Sequence, residues 1–164
     1  MAEPLSSVEA TGVGLAVIMA RKGADGLEAR LGMALPDGPG WTGDAELVLI
    51  GTGPGTWLAR CERPAPDWGE ALADRLAGLA SVSDVSAAYR LFRIAGAGAA
   101  TVLQRGAFVD FAEGFGPGSA AVTVIAHIGV IVRQIDAAPT YELAVSRSYA
   151  ESFRHWLNVA CDQV

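Results

Sequence analysis

Two histidines offer the first candidates for chemistry in this chain. His127 stands between two apolar runs, Ala120–Ala126 and Val130–Asp136. An imidazole there could serve as a general base. It has no partner near it in sequence, and the tip of a hairpin accounts for it equally well. His155 lies beside Trp156 in a helical stretch and is expected at a contact or solvent-facing surface. Asp110 and Glu113 are the close pair of carboxylates near a cleft, and a solvated turn is the reading for them. Cys61 and Cys161 have no second cysteine nearby, which makes neither a zinc knuckle nor a disulfide framework. Two reduced thiols are expected. No Ser–His–Asp order and no metal-ligand spacing stands out, so no catalytic, cofactor-binding or metal-ligating residue is assigned.

Two glycine-rich segments resemble phosphate cradles. Gly51-Thr52-Gly53-Pro54-Gly55 has no lysine after it and joins one strand to another. No helix N-terminus would then face an anion, so the segment reads as a hairpin loop. Gly96-Ala97-Gly98-Ala99-Ala100 follows a strand and opens a helix, as a dinucleotide fingerprint does. Thr101 occupies the third glycine position, and the flanking elements are not those of a doubly wound sheet. A tight turn and helix start is the reading.

The elements that must position these residues follow from periodicity. Gly12–Ala20 reads as a strand, and Ala24–Leu35 as a helix with Leu27, Leu31 and Leu35 at helical spacing. Pro36–Gly43 is a loop. Glu46–Ile50 and Thr56–Cys61 form a hairpin. Asp67 is placed to cap a helix reaching about Ala80, with Leu72, Leu76 and Leu79 on one face. Val82–Ser86 is a short strand. The order so far is β-α-β-β-α-β. The second half reads β-α-β-β-β-α: strand Tyr89–Ala95, helix Gly98–Arg105, strands Ala120–Ala126, Val130–Asp136 and Tyr141–Val145, and helix Ser148–Cys161, with Ser148 as cap. Two such units predict split β-α-β, ferredoxin-like halves in one α+β domain over residues 1–164, with pseudo-halves at 12–86 and 87–161.

Composition narrows the class. At 164 residues the chain is long enough to bury a substantial core. Hydrophobic residues are 51% and charged residues 18%, so some apolar surface is expected to belong to an interface. The net charge is −6 and no basic run exists, which argues against nucleic acid as a partner. No apolar stretch reaches the roughly 20 residues that span a bilayer. Met1-Ala2-Glu3-Pro4 has no basic segment leading an apolar one, so no signal peptide is read and a cytoplasmic location is expected.

The run from Asp84 to Leu157 resembles known proteins. In the broad sense it is similar to the aminomethyltransferase (glycine cleavage T-protein), folate-binding superfamily, in which a D-V-S element precedes a strand and a helix follows. Asp84-Val85-Ser86 and Leu91-Phe92-Arg93-Ile94-Ala95-Gly96 carry that likeness. More closely it resembles the gamma subunit family of heterotetrameric sarcosine oxidase. Leu103–Phe111 matches that family's L-A-K-G-C-P-L-D-L, and Phe115-Gly116-Pro117-Gly118 its F-P-P-G. Val130–Ile135 matches V-L-L-W-R-L, and Tyr141–Ala150 with His155-Trp156-Leu157 matches F-E-L-L-V-x-R-S-Y-A and W-x-W-L.

The resemblance implies an aminomethyltransferase-like fold and membership of a complex that oxidises sarcosine to glycine. That complex forms peroxide and passes the one-carbon unit to tetrahydrofolate. It implies alpha, beta and delta partner subunits, and places FAD, FMN, NAD and tetrahydrofolate in the complex but none of them on this chain. The departures point the same way. Aminomethyltransferases carry paired aspartates where this chain has His127-Ile128-Gly129. The cysteine of K-G-C-P is Ala107, and the His-Met after D-V-S is Ala87-Ala88. A subunit that keeps the folding pattern and lacks these groups is expected to be non-catalytic. The competing readings are a free-standing folate-binding protein of the aminomethyltransferase type and a scaffold unconnected with one-carbon chemistry. The expected contact surface is the last helix, through Tyr149, Phe153, Trp156 and Leu157, unless that stripe fills the chain's own core. For the isolated chain a homo-oligomer is one possible state.

Overall fold

The computed structural model describes residues 4–22 and 25–164. In chain order the elements are β1 (Ser6–Ala10), β2 (Gly14–Ala20), α1 (Leu27–Leu31), β3 (Trp41–Gly43), β4 (Val48–Gly53), β5 (Thr56–Cys61), α2 (Trp68–Arg75), β6 (Ala80–Asp84), β7 (Tyr89–Ala95), α3 (Ala99–Gln104), β8 (Ala120–Ile125), β9 (Ile128–Asp136), β10 (Thr140–Ser146) and α4 (Ala150–Cys161). They form two compact units. One is Gly12–Ala87; the other joins Ala88–Val164 to the segment ending at Thr11.

The Gly12–Ala87 unit is an antiparallel sheet in the order β3-β4-β5-β2-β6. Without the short β3, this is the 4-1-3-2 strand order of a split β-α-β unit. Ile18, Leu49, Trp57 and Ala59 pack with Leu27 and Leu31 of α1, Leu72 of α2 and Leu76 just after it. Two arginines fasten the helices end to end. Arg30 Nη1 donates to the Arg75 carbonyl at 2.9 Å, while Arg75 Nε and Nη2 donate to the Arg30 and Leu31 carbonyls at 3.0 and 2.9 Å. These bonds occupy carbonyls that a helix end leaves open.

Both helices of this unit are shorter than the leucine spacing predicts. The part of Ala24–Leu35 at Ala24 lies outside the described residues. The rest is helical only over Leu27–Leu31, because Gly32 turns left-handed at φ 69° and its N–H closes on the Glu28 carbonyl. α2 stops at Arg75, and Leu76 and Leu79 follow as turn residues that still pack on the core. Asp67 precedes α2 but its side chain makes no capping bond. The predicted strand Val82–Ser86 is found two residues earlier, and the loop Pro36–Gly43 ends in β3.

The second unit has the sheet order β1-β7-β10-β9-β8, again antiparallel. Strands β1-β7-β10-β9 repeat the 4-1-3-2 order, but the fourth strand comes from the start of the chain. The β-α-β-β-β-α pattern lacked a closing strand, and Ser6–Ala10 supplies it by pairing with Leu91–Ala95. One face of the sheet offers Phe92, Ile94, Val132, Tyr141 and Leu143 to Val102 and Leu103 of α3 and to Phe153 and Leu157 of α4. The Phe92 and Phe153 rings stand 5.4 Å apart. Ser148 does not cap α4. It sits in the 3-10 turn Arg147–Tyr149, and its hydroxyl meets that of Ser146 at 3.2 Å.

The glycine segments are structural. Gly51–Gly55 links β4 to β5. A Cβ on Gly51 would stand 2.1 Å from the Gly38 carbonyl oxygen, so backbone approach demands glycine there. Gly96 turns at φ 106° after β7, and the helix that follows is six residues long.

Candidate functional site

Loop Arg105–Phe108 runs alongside the tip of the β8–β9 hairpin. Ala126 N–H donates to the Gly106 carbonyl at 2.9 Å, and Ala107 bridges Ile125. Gln104 holds the loop from behind: its Oε1 accepts the Phe111 N–H at 2.9 Å. The hairpin is closed by Ala126 and His127, both left-handed, at φ 52° and 65°. Two consecutive left-handed residues make the tight turn that matches the twist of antiparallel strands. They also swing the His127 ring outward, where it is exposed.

Between this loop, the hairpin tip and α4 lies a recess of about 500 Å³. Its side chains are those of Arg105, Ala107, Phe108, His127, Ser152 and Trp156, with Ile128 at the edge. Phe108 is 93% exposed, an unusual position for a phenylalanine. Trp156 is half-buried, packed on Phe153 with ring centroids 5.6 Å apart. Arg105 donates to the Gln163 side-chain and backbone oxygens at 2.7 and 3.2 Å and meets no carboxylate among the described residues. The recess thus combines aromatic walls with N–H and O–H donors. Among the described residues no carboxylate lines it.

A second polar cluster lies on the sheet face opposite α3 and α4. Glu142 of β10 is directly across from Arg133 of β9 and Arg93 of β7. Glu142 Oε1 accepts Arg133 Nε at 3.0 Å, and Oε2 accepts Arg93 Nε and Nη2, both at 3.2 Å. Glu142 and Arg133 are 3% and 4% exposed. A buried carboxylate between two guanidiniums on neighbouring strands is suited to fixing strand register.

The other residues singled out in the sequence are dispersed. Asp110 Oδ1 accepts the N–H groups of Ala112 and Glu113, an exposed turn with no partner for chemistry. His155 is exposed on α4. Cys61 and Cys161 are free thiols, and burial pushes the Cys161 thiol above its ordinary range, against a hydrogen bond from Ser7 that lowers it. The aromatic stripe of the last helix divides. Phe153 and Leu157 are at most 1% exposed and fill the unit's core, while Tyr149 is 56% exposed and Trp156 opens on the recess. Helical spacing could not separate the two fates; the side of α4 that meets the sheet decides. Arg105, Phe108 and Ser152 carried no signal in the sequence as site residues, because they converge only in the fold. Among the described residues no group of His, Cys, Asp or Glu is placed to hold a metal, and no helix is long and apolar enough to cross a membrane.

Two ferredoxin-like units built from antiparallel sheets define an aminomethyltransferase-type fold. The chain superposes with a TM-score of 0.68 on the glycine cleavage system aminomethyltransferase T from Bartonella henselae, at 13% identity over 94% of this chain and 45% of that one. The likeness to a chain of the heterotetrameric sarcosine oxidase from Corynebacterium sp. U-96 is greater: TM-score 0.88 and 25% identity, over 97% of this chain and 84% of that one. The model of the sarcosine oxidase gamma subunit family matches residues 23–163. The chain belongs to the sarcosine oxidase gamma subunit family. No curated protein matches its sequence.

The fold raises the question of folate. The resemblance implies that aminomethyltransferases carry paired aspartates where this chain's hairpin has His127, Ile128 and Gly129. The recess beside that hairpin offers donors and aromatic walls but no carboxylate. Its donor set does not fit the acid chemistry of that family.

Proposed function

We propose that this chain is the non-catalytic gamma subunit of a heterotetrameric sarcosine oxidase, assembled with alpha, beta and delta subunits. The observation that carries the reading is the fold match over nearly the whole chain to a heterotetrameric sarcosine oxidase, together with the family match over residues 23–163. The complex would oxidise sarcosine to glycine, reduce O2 to peroxide and transfer the one-carbon unit to tetrahydrofolate. FAD, FMN, NAD and tetrahydrofolate would be held by the larger subunits. Within the complex the two units would act as one domain, and the location would be cytoplasmic. A hairpin tip without carboxylates and a recess without an acid support the non-catalytic role.

Reconstitution tests it. The four subunits together should form peroxide from sarcosine, and His127→Ala in this chain should leave turnover within about twofold. A loss of a hundredfold or more with assembly intact would contradict the non-catalytic reading, because general acid–base groups contribute about that much. Visible flavin absorption retained by this chain alone through gel filtration would contradict the assignment of cofactors.

A further inference from the structure

We infer that the recess bounded by Trp156, Phe108 and the His127 turn is the docking site for an acidic, apolar-anchored segment of a larger oxidase subunit. The inference rests on the gamma-subunit reading and gives its contact a place. Three observations carry it. First, Phe108 stands 93% exposed at the rim, beside a half-buried Trp156. Exposed aromatics next to a recess are the side chains that anchor protein interfaces. Secondly, the charge is local and opposite to that of the chain. The sequence carries a net charge of −6, yet the charged lining group is the Arg105 guanidinium, with His127 and Ser152 adding N–H and O–H donors and no carboxylate among the described lining residues. A carboxylate from a partner would complete that set. Thirdly, the walls are fixed before binding. The Ala126–Gly106 hydrogen bond, the Ala107–Ile125 bridge and the Gln163 contacts to Arg105 hold the loop, so little ordering remains to oppose association.

The test uses the four-subunit complex. Arg105→Glu and Phe108→Ala are both exposed changes, and circular dichroism should confirm that each variant folds as the parent does. Each should weaken capture of this chain by the other three subunits tenfold or more, while Arg105→Lys should lose much less. A photo-crosslinking residue at position 108 should join this chain to a peptide of a larger subunit that contains Asp or Glu next to an apolar side chain. Variants that fold and bind like the parent, or crosslinks that reach only a second copy of this chain, would overturn the docking site and leave the gamma-subunit reading standing. Failure of the unaltered chain to bind the other subunits would overturn both.

Discussion

The Trp156 indole covers Gly106 so closely that a Cβ on Gly106 would stand 2.6 Å from Cζ2 of the ring. The same Cβ would lie 3.0 Å from the Ala126 N–H that the Gly106 carbonyl accepts. One glycine therefore lets the helix, the loop and the hairpin tip close on each other. Gly106→Ala should displace the indole and strain the hairpin. The expected loss is about 1–3 kcal/mol, read as a lower denaturant midpoint of the purified chain. An unchanged midpoint would mean that Trp156 moves aside freely.

Ala126 occupies a left-handed conformation that costs an ordinary residue about 1–2 kcal/mol. Ala126→Gly should relieve most of that cost and give back part of it as chain entropy. Calorimetry should show a thermal midpoint raised by about 2–4 °C, the shift expected for roughly 1 kcal/mol in a chain of this size.

Glu142 should be the most sensitive charged position. Glu142→Gln removes the buried charge that Arg133 meets at 3.0 Å, and the expected loss is about 3–5 kcal/mol. Arg93 is a third exposed, so Arg93→Ala should cost about 1 kcal/mol or less. Urea unfolding of the two variants side by side measures the contrast; equal losses would mean that burial does not set the ranking.

Burial holds the Tyr141 phenol above its ordinary value of 10.0. The folded chain thus keeps the proton to higher pH than the unfolded chain does. Its stability should be unaffected well below pH 10 and should fall as pH rises through that value and beyond. Tyr141→Phe removes the titrating group and should flatten this decline. Urea midpoints at pH 8 and at about pH 10.5 provide the comparison.

Most of the fold was legible because unit boundaries coincide with changes of periodicity. Tyr89–Ala95 is read as a strand and is found with the same bounds as β7, with Phe92 and Ile94 on the buried face. What escaped was non-local. Ser6–Ala10 has one large apolar residue, Val8, which is 59% exposed, so nothing in the segment announces a strand; its partner lies more than eighty residues on, across Ser6–Ala95. The helix ends were overrun because Leu35 and Leu79 keep the spacing after the helix has stopped. Gly32 ends the first helix by turning left-handed, and apolar spacing does not register that. The candidate site was legible only at His127 and Trp156. Phe108 and Arg105 look like ordinary loop residues until the hairpin tip is brought against them.

The central claim is membership of a four-chain oxidase, and the mass of the assembly tests it most directly. This chain, carrying an affinity tag, would be co-expressed with the alpha, beta and delta subunits, purified through the tag and weighed intact by native mass spectrometry. The account predicts one species containing a single copy of each of the four chains, and that species should form peroxide when given sarcosine. A tagged chain that elutes alone, while the other three assemble and oxidise sarcosine without it, would contradict the account.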